Sequence, residues 1–231
     1  MIIKRGSRMS IHYYSGFFQA ALPKQMVELL GSDITDRKSI AVVAGYGNWH
    51  PEEDPKIDLN FAKNTWFDPA DIVFDEYHLI DRSIPKERMH ILLRDASVIL
   101  LQGGYTTLQN AFLSEYELAA PIKESTASVI MGISAGAKNM GAKFVCAESN
   151  GNAVDKNGIF DSLGLGNFCY EPYFSLDNEE LIKGELLPLS QEIDVYAASD
   201  GSFMRVKDGE VLAFGDTYLI SGSEIHKIRA N

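Results

Sequence analysis

Cysteine is nearly missing from this chain. Its 231 residues hold two, Cys146 and Cys169. Two thiols cannot build a disulfide framework or a four-cysteine zinc site, so they read as reduced residues of an intracellular protein. Long apolar runs are missing as well: none approaches the roughly 20 residues that a membrane-spanning helix needs. The basic start of the chain (Lys4, Arg5, Arg8) is not followed by the apolar stretch and cleavage site of a secretory leader, and a cytoplasmic location is expected. Positive charge is in the minority, with 21 Lys and Arg against 32 Asp and Glu and a formal net charge of −11. No clustered basic face is visible, which argues against nucleic-acid and membrane partners. Histidine is scarce too: His12, His50, His78, His90 and His226 are all there are.

What is present is an ordinary folded composition, 45% hydrophobic and 23% charged, without repeats, low-complexity tracts or a Pro/Ser-rich linker. One domain over residues 1–231 is expected. Apolar runs rich in β-branched residues at 10–14, 39–44, 72–78, 97–101 and 128–132 read as strands. Helical spacing fills 19–30 (capped by Gly31), 55–66, 84–93, 106–118 and 134–140. Continuous apolar strands alternating with helices predict an α/β fold, a mostly parallel, flavodoxin-like sheet flanked by helices. Beyond Gly141 shorter strands follow at 144–147, 168–173, 195–198, 203–206, 210–214 and 217–221, making the C-terminal part richer in β structure. Asp208-Gly209 between two of them is a hairpin signal.

Ligands of parallel sheets bind beyond the carboxyl ends of the strands, so the segments that follow the strands matter most. After the fifth comes Gly132-Ile133-Ser134-Ala135-Gly136, a G-x-S-x-G nucleophile elbow with an apolar strand before it and a helix after it. The neighbours at ±2 must be small because the turn is tight, and the hydroxyl then emerges at a helix N-terminus. After the fourth strand comes Gln102-Gly103-Gly104-Tyr105. There the Gly104 N–H, with that of Ala135, is a candidate oxyanion hole. Gly45-Tyr46-Gly47 after the second strand resembles a dinucleotide loop only in part, because His50 and Pro51 stand where a third glycine would be needed. No cofactor is expected. The carboxylate run Glu52-Glu53-Asp54 reads as a solvated loop, and no metal site is expected.

Residues 39–45, Leu100-Leu101-Gln102-Gly103-Gly104-Tyr105-Thr106 and Gly132-Ile133-Ser134-Ala135-Gly136-Ala137 together resemble peptidase E (aspartyl dipeptidase) and the related cyanophycinases. The likeness continues through Leu163-Gly164-Leu165-Gly166 and Ala198-Ser199-Asp200-Gly201-Ser202. It implies a fold related to class I glutamine amidotransferases, with serine chemistry in place of a cysteine nucleophile. It also implies Ser134 as nucleophile and Asp200 as the acidic residue of a triad. The family's triad histidine falls in Glu171-Pro172-Tyr173-Phe174, where this chain has Tyr173. A neutral phenol is a poor base, and an unactivated serine is a poor nucleophile. His50, in the loop after the second strand, and His12, in the first strand, are the histidines considered as substitute bases. His78, His90 and His226 read as structural or surface residues.

The expected function is therefore a peptidase E-like serine hydrolase of short peptides or amides with an altered triad. The alternative is an inactive pseudopeptidase that binds a peptide or small molecule. No arginine can be assigned to an aspartate-binding pocket, and the oligomeric state stays open, a homodimer included.

Overall fold

A computed structural model describes residues 10–45, 57–147 and 157–229. Strand β1 (Ile11–Ser15) leads to helix α1 (Lys24–Asp33), β2 (Ser39–Val43), α2 (Ile57–Phe61), β3 (Glu76–Ile80), α3 (Lys86–Asp95) and β4 (Val98–Leu101). Helices α4 (Thr106–Glu115) and α5 (Ala119–Lys123), strand β5 (Val129–Ile133), helix α6 (Ala135–Met140) and strands β6 (Lys143–Cys146), β7 (Gly158–Asp161) and β8 (Cys169–Pro172) come next. Short helices α7 (Glu179–Leu181) and α8 (Leu187–Leu189) precede β9 (Val195–Ala198), β10 (Phe203–Lys207), β11 (Glu210–Phe214), β12 (Thr217–Ser221) and β13 (Glu224–Lys227).

Two sheets result, ordered β11-β10-β1-β5-β4-β2-β3 and β13-β12-β9-β8-β6-β7. In the first, β1, β5, β4, β2 and β3 run parallel, while β10 and β11 add an antiparallel edge. Every residue of β2, β4 and β5 is buried, as their unbroken apolar runs require. Alternate side chains face two cores. Ala41, Val43, Ile99, Leu101 and Ile130 pack with Phe112 and Met140. Ile40, Val42, Val98, Leu100 and Met131 pack with Met26, Leu30 and Trp66 on the other side. A third core, between the second sheet and the short helices, gathers Val145, Cys169, Val195, Leu181, Leu186 and Leu189.

The register places the site. Ser15 pairs with Ile133 and Leu101 with Gly132, so the segments after β1, β4 and β5 open at one level. In the second sheet β8 runs parallel to β9 and Pro172 pairs with Ala198, which sets Tyr173 beside Ser199-Asp200. Helix α6 packs on both β5 and β8 and so joins the sheets.

Several expected boundaries move. Helix α1 starts at Lys24 because Pro23 is extended (φ −54°, ψ 141°), and it runs through Gly31 to Asp33. Asp33 is anchored there by a buried pair with Arg205 (2.6 and 2.7 Å) and by the Tyr13 hydroxyl (2.6 Å). Residues 72–75 precede β3 instead of forming it, although Ile72 and Phe74 are buried. Their apolar content reflects packing in a loop. Strands β7 and β13 are hairpin partners that sequence patterning did not mark. The Asp208-Gly209 turn forms as expected, with both residues at positive φ (52° and 82°).

His12 sits near the amino end of β1 and pairs with Ile130, so four residues of parallel strand separate its level from Ser134, or ~13 Å. It shares a hydrogen bond with Ser10 (2.8 Å) and lines a cavity of about 1060 Å³ at the end of the sheet opposite the elbow. As a substitute base for Ser134 it is therefore ruled out by position. Burial lowers its pKa to about 4. The unfolded chain takes up this proton through about pH 6.5, while the folded chain stays neutral until about 4. Stability from this group is complete above pH 6.5 and falls as pH drops toward 4, by at most about 3 kcal/mol. Urea unfolding at pH 7.5 and 4.5 is expected to show a smaller acid loss in His12→Gln than in the parent protein.

Candidate active site

Ser134 occupies a strained backbone conformation, φ 53° and ψ −111°, between β5 and α6. Its N–H donates to Ser15 O at 2.8 Å, and its C=O accepts from Lys138 N at 3.1 Å. The flanking glycines are sterically compulsory. A Cβ on Gly136 would lie 2.1 Å from Leu101 O, and one on Gly132 would lie 2.6 Å from Ala137 Cα. This is the geometry that a G-x-S-x-G turn demands. Ala135 opens α6, so its N–H is one of the first-turn donors without an intrahelical partner. Gly103 lies against Ser134, with a Cβ position 3.3 Å from Ser134 Cβ, and Gly104 follows at φ 146°. The loop after β4 and the elbow thus meet at Gly103 and Ser134, while Gly104 packs against Gly45.

Tyr173 also has a positive φ, 60°. Its ring lies over Gly16, where a Cβ would stand 2.9 Å from Tyr173 Cε1, so that close approach requires glycine. The phenol oxygen accepts a hydrogen bond from Phe17 N–H at 2.7 Å and is hydrogen-bonded to the Ser134 side chain. Burial raises the phenol's pKa above its ordinary value, outweighing the lowering by the bonds from Ser134 and Phe17, and the Asp200 carboxylate raises it further. Tyr173 is therefore protonated at neutral pH, and its oxygen accepts from both Ser134 Oγ–H and Phe17 N–H.

Asp200 is exposed and accepts a hydrogen bond from the Gly201 N–H at 3.0 Å. It acts on Tyr173 through its charge. The loop that carries it is fixed by Ser199 Oγ donating to Phe174 O (2.9 Å) and Ser199 N–H donating to Asp216 O (2.9 Å). The fold thus brings Ser134, Tyr173, Gly103 and Phe17 together and leaves Asp200 at the rim.

Two residues of this neighbourhood were not singled out from sequence. Lys138, one helical turn after Ser134, forms an ion pair with Glu171 at 2.9 Å and donates to Val145 O at 2.9 Å. Both ionic side chains are buried, at 3% and 0% exposure. Glu171 stands two residues before Tyr173, so this pair ties the serine's helix to the tyrosine's strand. A lysine within the small-residue stretch Ala135-Gly136-Ala137-Lys138-Asn139 was the available signal. Phe17 follows the carboxyl end of β1, and that place in a parallel sheet is the signal that marks it.

His50, like Tyr46, Trp49 and the Glu52-Glu53-Asp54 run, lies outside the described residues. Of the other histidines, His78 pairs with Glu76 (3.0 Å), His226 with Glu224 (3.2 Å), and His90 bonds Tyr116 O (2.8 Å). Cys146 and Cys169 are buried and not joined in a disulfide, and burial beside Glu171 pushes Cys169 up to about 12. Among the described residues no three His, Cys, Asp or Glu side chains gather as a metal site. No helix among them is long and apolar enough to cross a membrane.

The fold is similar to that of a peptidase from an acI-B1 Actinobacterium, with a TM-score of 0.68 at 16% identity, covering 96% of this chain and 95% of that one. It is also similar to a candidate peptidase E protein from Listeria monocytogenes EGD-e, with a TM-score of 0.61 at 16% identity over 89% of this chain and 98% of that one. No curated protein sequence matches. The sequence profile of peptidase family S51 matches residues 62–214, a span holding β4, the Gly103-Gly104 turn, the elbow, Tyr173 and Asp200. On that match the chain belongs to peptidase family S51.

Proposed function

We propose that this protein binds short peptides or amides at the Ser134 corner and acylates Ser134 only slowly, as a peptide-binding member of a peptidase family. The observation that carries this reading is the partner of the nucleophile: the Ser134 side chain meets the phenol of Tyr173, held protonated at neutral pH. A protonated phenol cannot take the serine's proton. Without a base, a serine site keeps the ~10³–10⁴-fold over water that an oxyanion hole and binding supply. Family membership supports a peptidase-like site and a peptide ligand.

A working serine hydrolase with an altered relay is the second reading, and one observation favours it. The backbone strain at Ser134 costs on the order of 1–3 kcal/mol, and simple binding gives no reason to keep it.

A fluorophosphonate probe separates the two readings. Slow labelling of the parent protein, absent from Ser134→Ala, is expected, with peptide binding retained by the alanine variant. Complete labelling within minutes, with turnover of a dipeptide panel, would replace the binding reading by the hydrolase.

A further inference from the structure

The described wall beside Ser134 is aromatic. The Phe17 ring comes within 3.8 Å of the Cβ position of Gly103, the residue in contact with Ser134 Cβ. Phe17 is only partly buried, and it packs on Phe61 (ring centroids 5.1 Å) and Trp66 (5.6 Å), which pack on each other at 5.2 Å. Trp66 is fully buried and donates its indole N–H to Phe18 O at 2.9 Å, which fixes the base of this cluster. Helix α2 passes into a π-helical turn over Ala62–Phe67, and this irregular turn carries Trp66 beneath the other two rings. Tyr173, bonded to Phe17 N–H through its hydroxyl, is 41% exposed, and Leu176, near it in sequence, is 52% exposed.

Among the described residues, the charge that reaches the corner is negative. The side-chain charge that acts on Tyr173 is the Asp200 carboxylate, and it acts to raise the phenol's pKa. Lys138, the cation nearest in sequence to the nucleophile, is spent on Glu171 and Val145 O inside the protein. An acidic ligand side chain would lose hydration there, face aromatic rings and meet a like charge.

From this wall we infer that the site selects a peptide with a neutral aromatic residue beside the carbonyl held at Ser134, and rejects an acidic one. Phe17 is the specificity-determining side chain. It contributes twice: its backbone N–H holds the Tyr173 phenol, and its ring, on the shelf of Phe61 and Trp66, offers a flat apolar face for the ligand's ring. The two roles can be separated, because Phe17→Ala removes the ring and leaves the N–H.

This selectivity rests on the peptide-binding reading. It is tested by calorimetric titration at pH 7.5 with N-acetyl-phenylalanyl-glycinamide and N-acetyl-aspartyl-glycinamide, using the full chain, Phe17→Ala and Phe17→Tyr. The phenylalanyl peptide is expected to bind at least ten-fold tighter to the parent protein. The preference is expected to be lost in Phe17→Ala and kept in Phe17→Tyr. Equal affinities, a tighter aspartyl peptide, or a preference that survives Phe17→Ala would each overturn the selectivity and leave peptide binding standing. Binding of neither peptide would overturn both. The parent protein alone decides the sign of the preference, whatever the folding of the variants.

Discussion

Tyr173→His is expected to speed fluorophosphonate labelling of Ser134 about 10²-fold at pH 7.5. The change replaces a group that cannot accept a proton at that pH with one whose ordinary pKa is near 6.5. An imidazole is shorter than a phenol, so at the same backbone position it would reach Ser134 Oγ through one water. This sets the expectation at the low end of the gain from general-base catalysis, which reaches ~10⁴-fold with ideal placement. The gain should follow a titration, rising with pH through the imidazole pKa and levelling above it. A pH-independent gain would mean that loss of the Tyr173 hydrogen bond, and not a new base, freed the serine. Tyr173→Phe supplies that control, because it removes the same hydroxyl and adds no base.

The second large effect concerns stability. Replacing Lys138 by methionine removes the cation that faces the Glu171 carboxylate in the interior, 0% exposed, and is expected to cost about 3–5 kcal/mol. Val145 O loses a donor in the same change. The double variant Lys138→Met/Glu171→Met removes both charges and should recover a large part of that loss, because two matched apolar chains leave no ion unpaired. Urea midpoints for the single and double variants give the coupling directly. If both variants lose the same stability, the ion pair is not what holds α6 against β8.

These expectations rest on parts of the molecule that differ in how plainly the sequence states them. The parallel sheet was legible because β2, β4 and β5 are covered on both faces, so their apolar runs are unbroken. The elbow was legible for a steric reason: Gly132 and Gly136 have no alternative at contacts of 2.6 Å and less. The place of Tyr173, directly after Glu171-Pro172 at the end of an apolar run, is plain in the sequence. That its hydroxyl would meet both Ser134 and Phe17 was not, because this depends on a ring crossing Gly16 from a different sheet. The extent of α1 was misjudged because Asp33 is held by Arg205, a partner 172 residues away, and no local pattern reports such a tether. The segment 72–75 was misjudged because apolar residues buried under a loop look like a strand when alternation is the criterion.

Ser134 rides at the end of β5 in the first sheet, and Tyr173 at the end of β8 in the second. Their hydrogen bond is therefore a gauge of the spacing between the two layers. A core substitution that swells or shrinks the space under α6, where Met140, Phe168 and Tyr170 pack, would be transmitted to Ser134 without touching any residue beside it. In such an arrangement, drift in the interior becomes drift in reactivity. The serine's availability is then tuned by the thickness of the protein as much as by the groups around it.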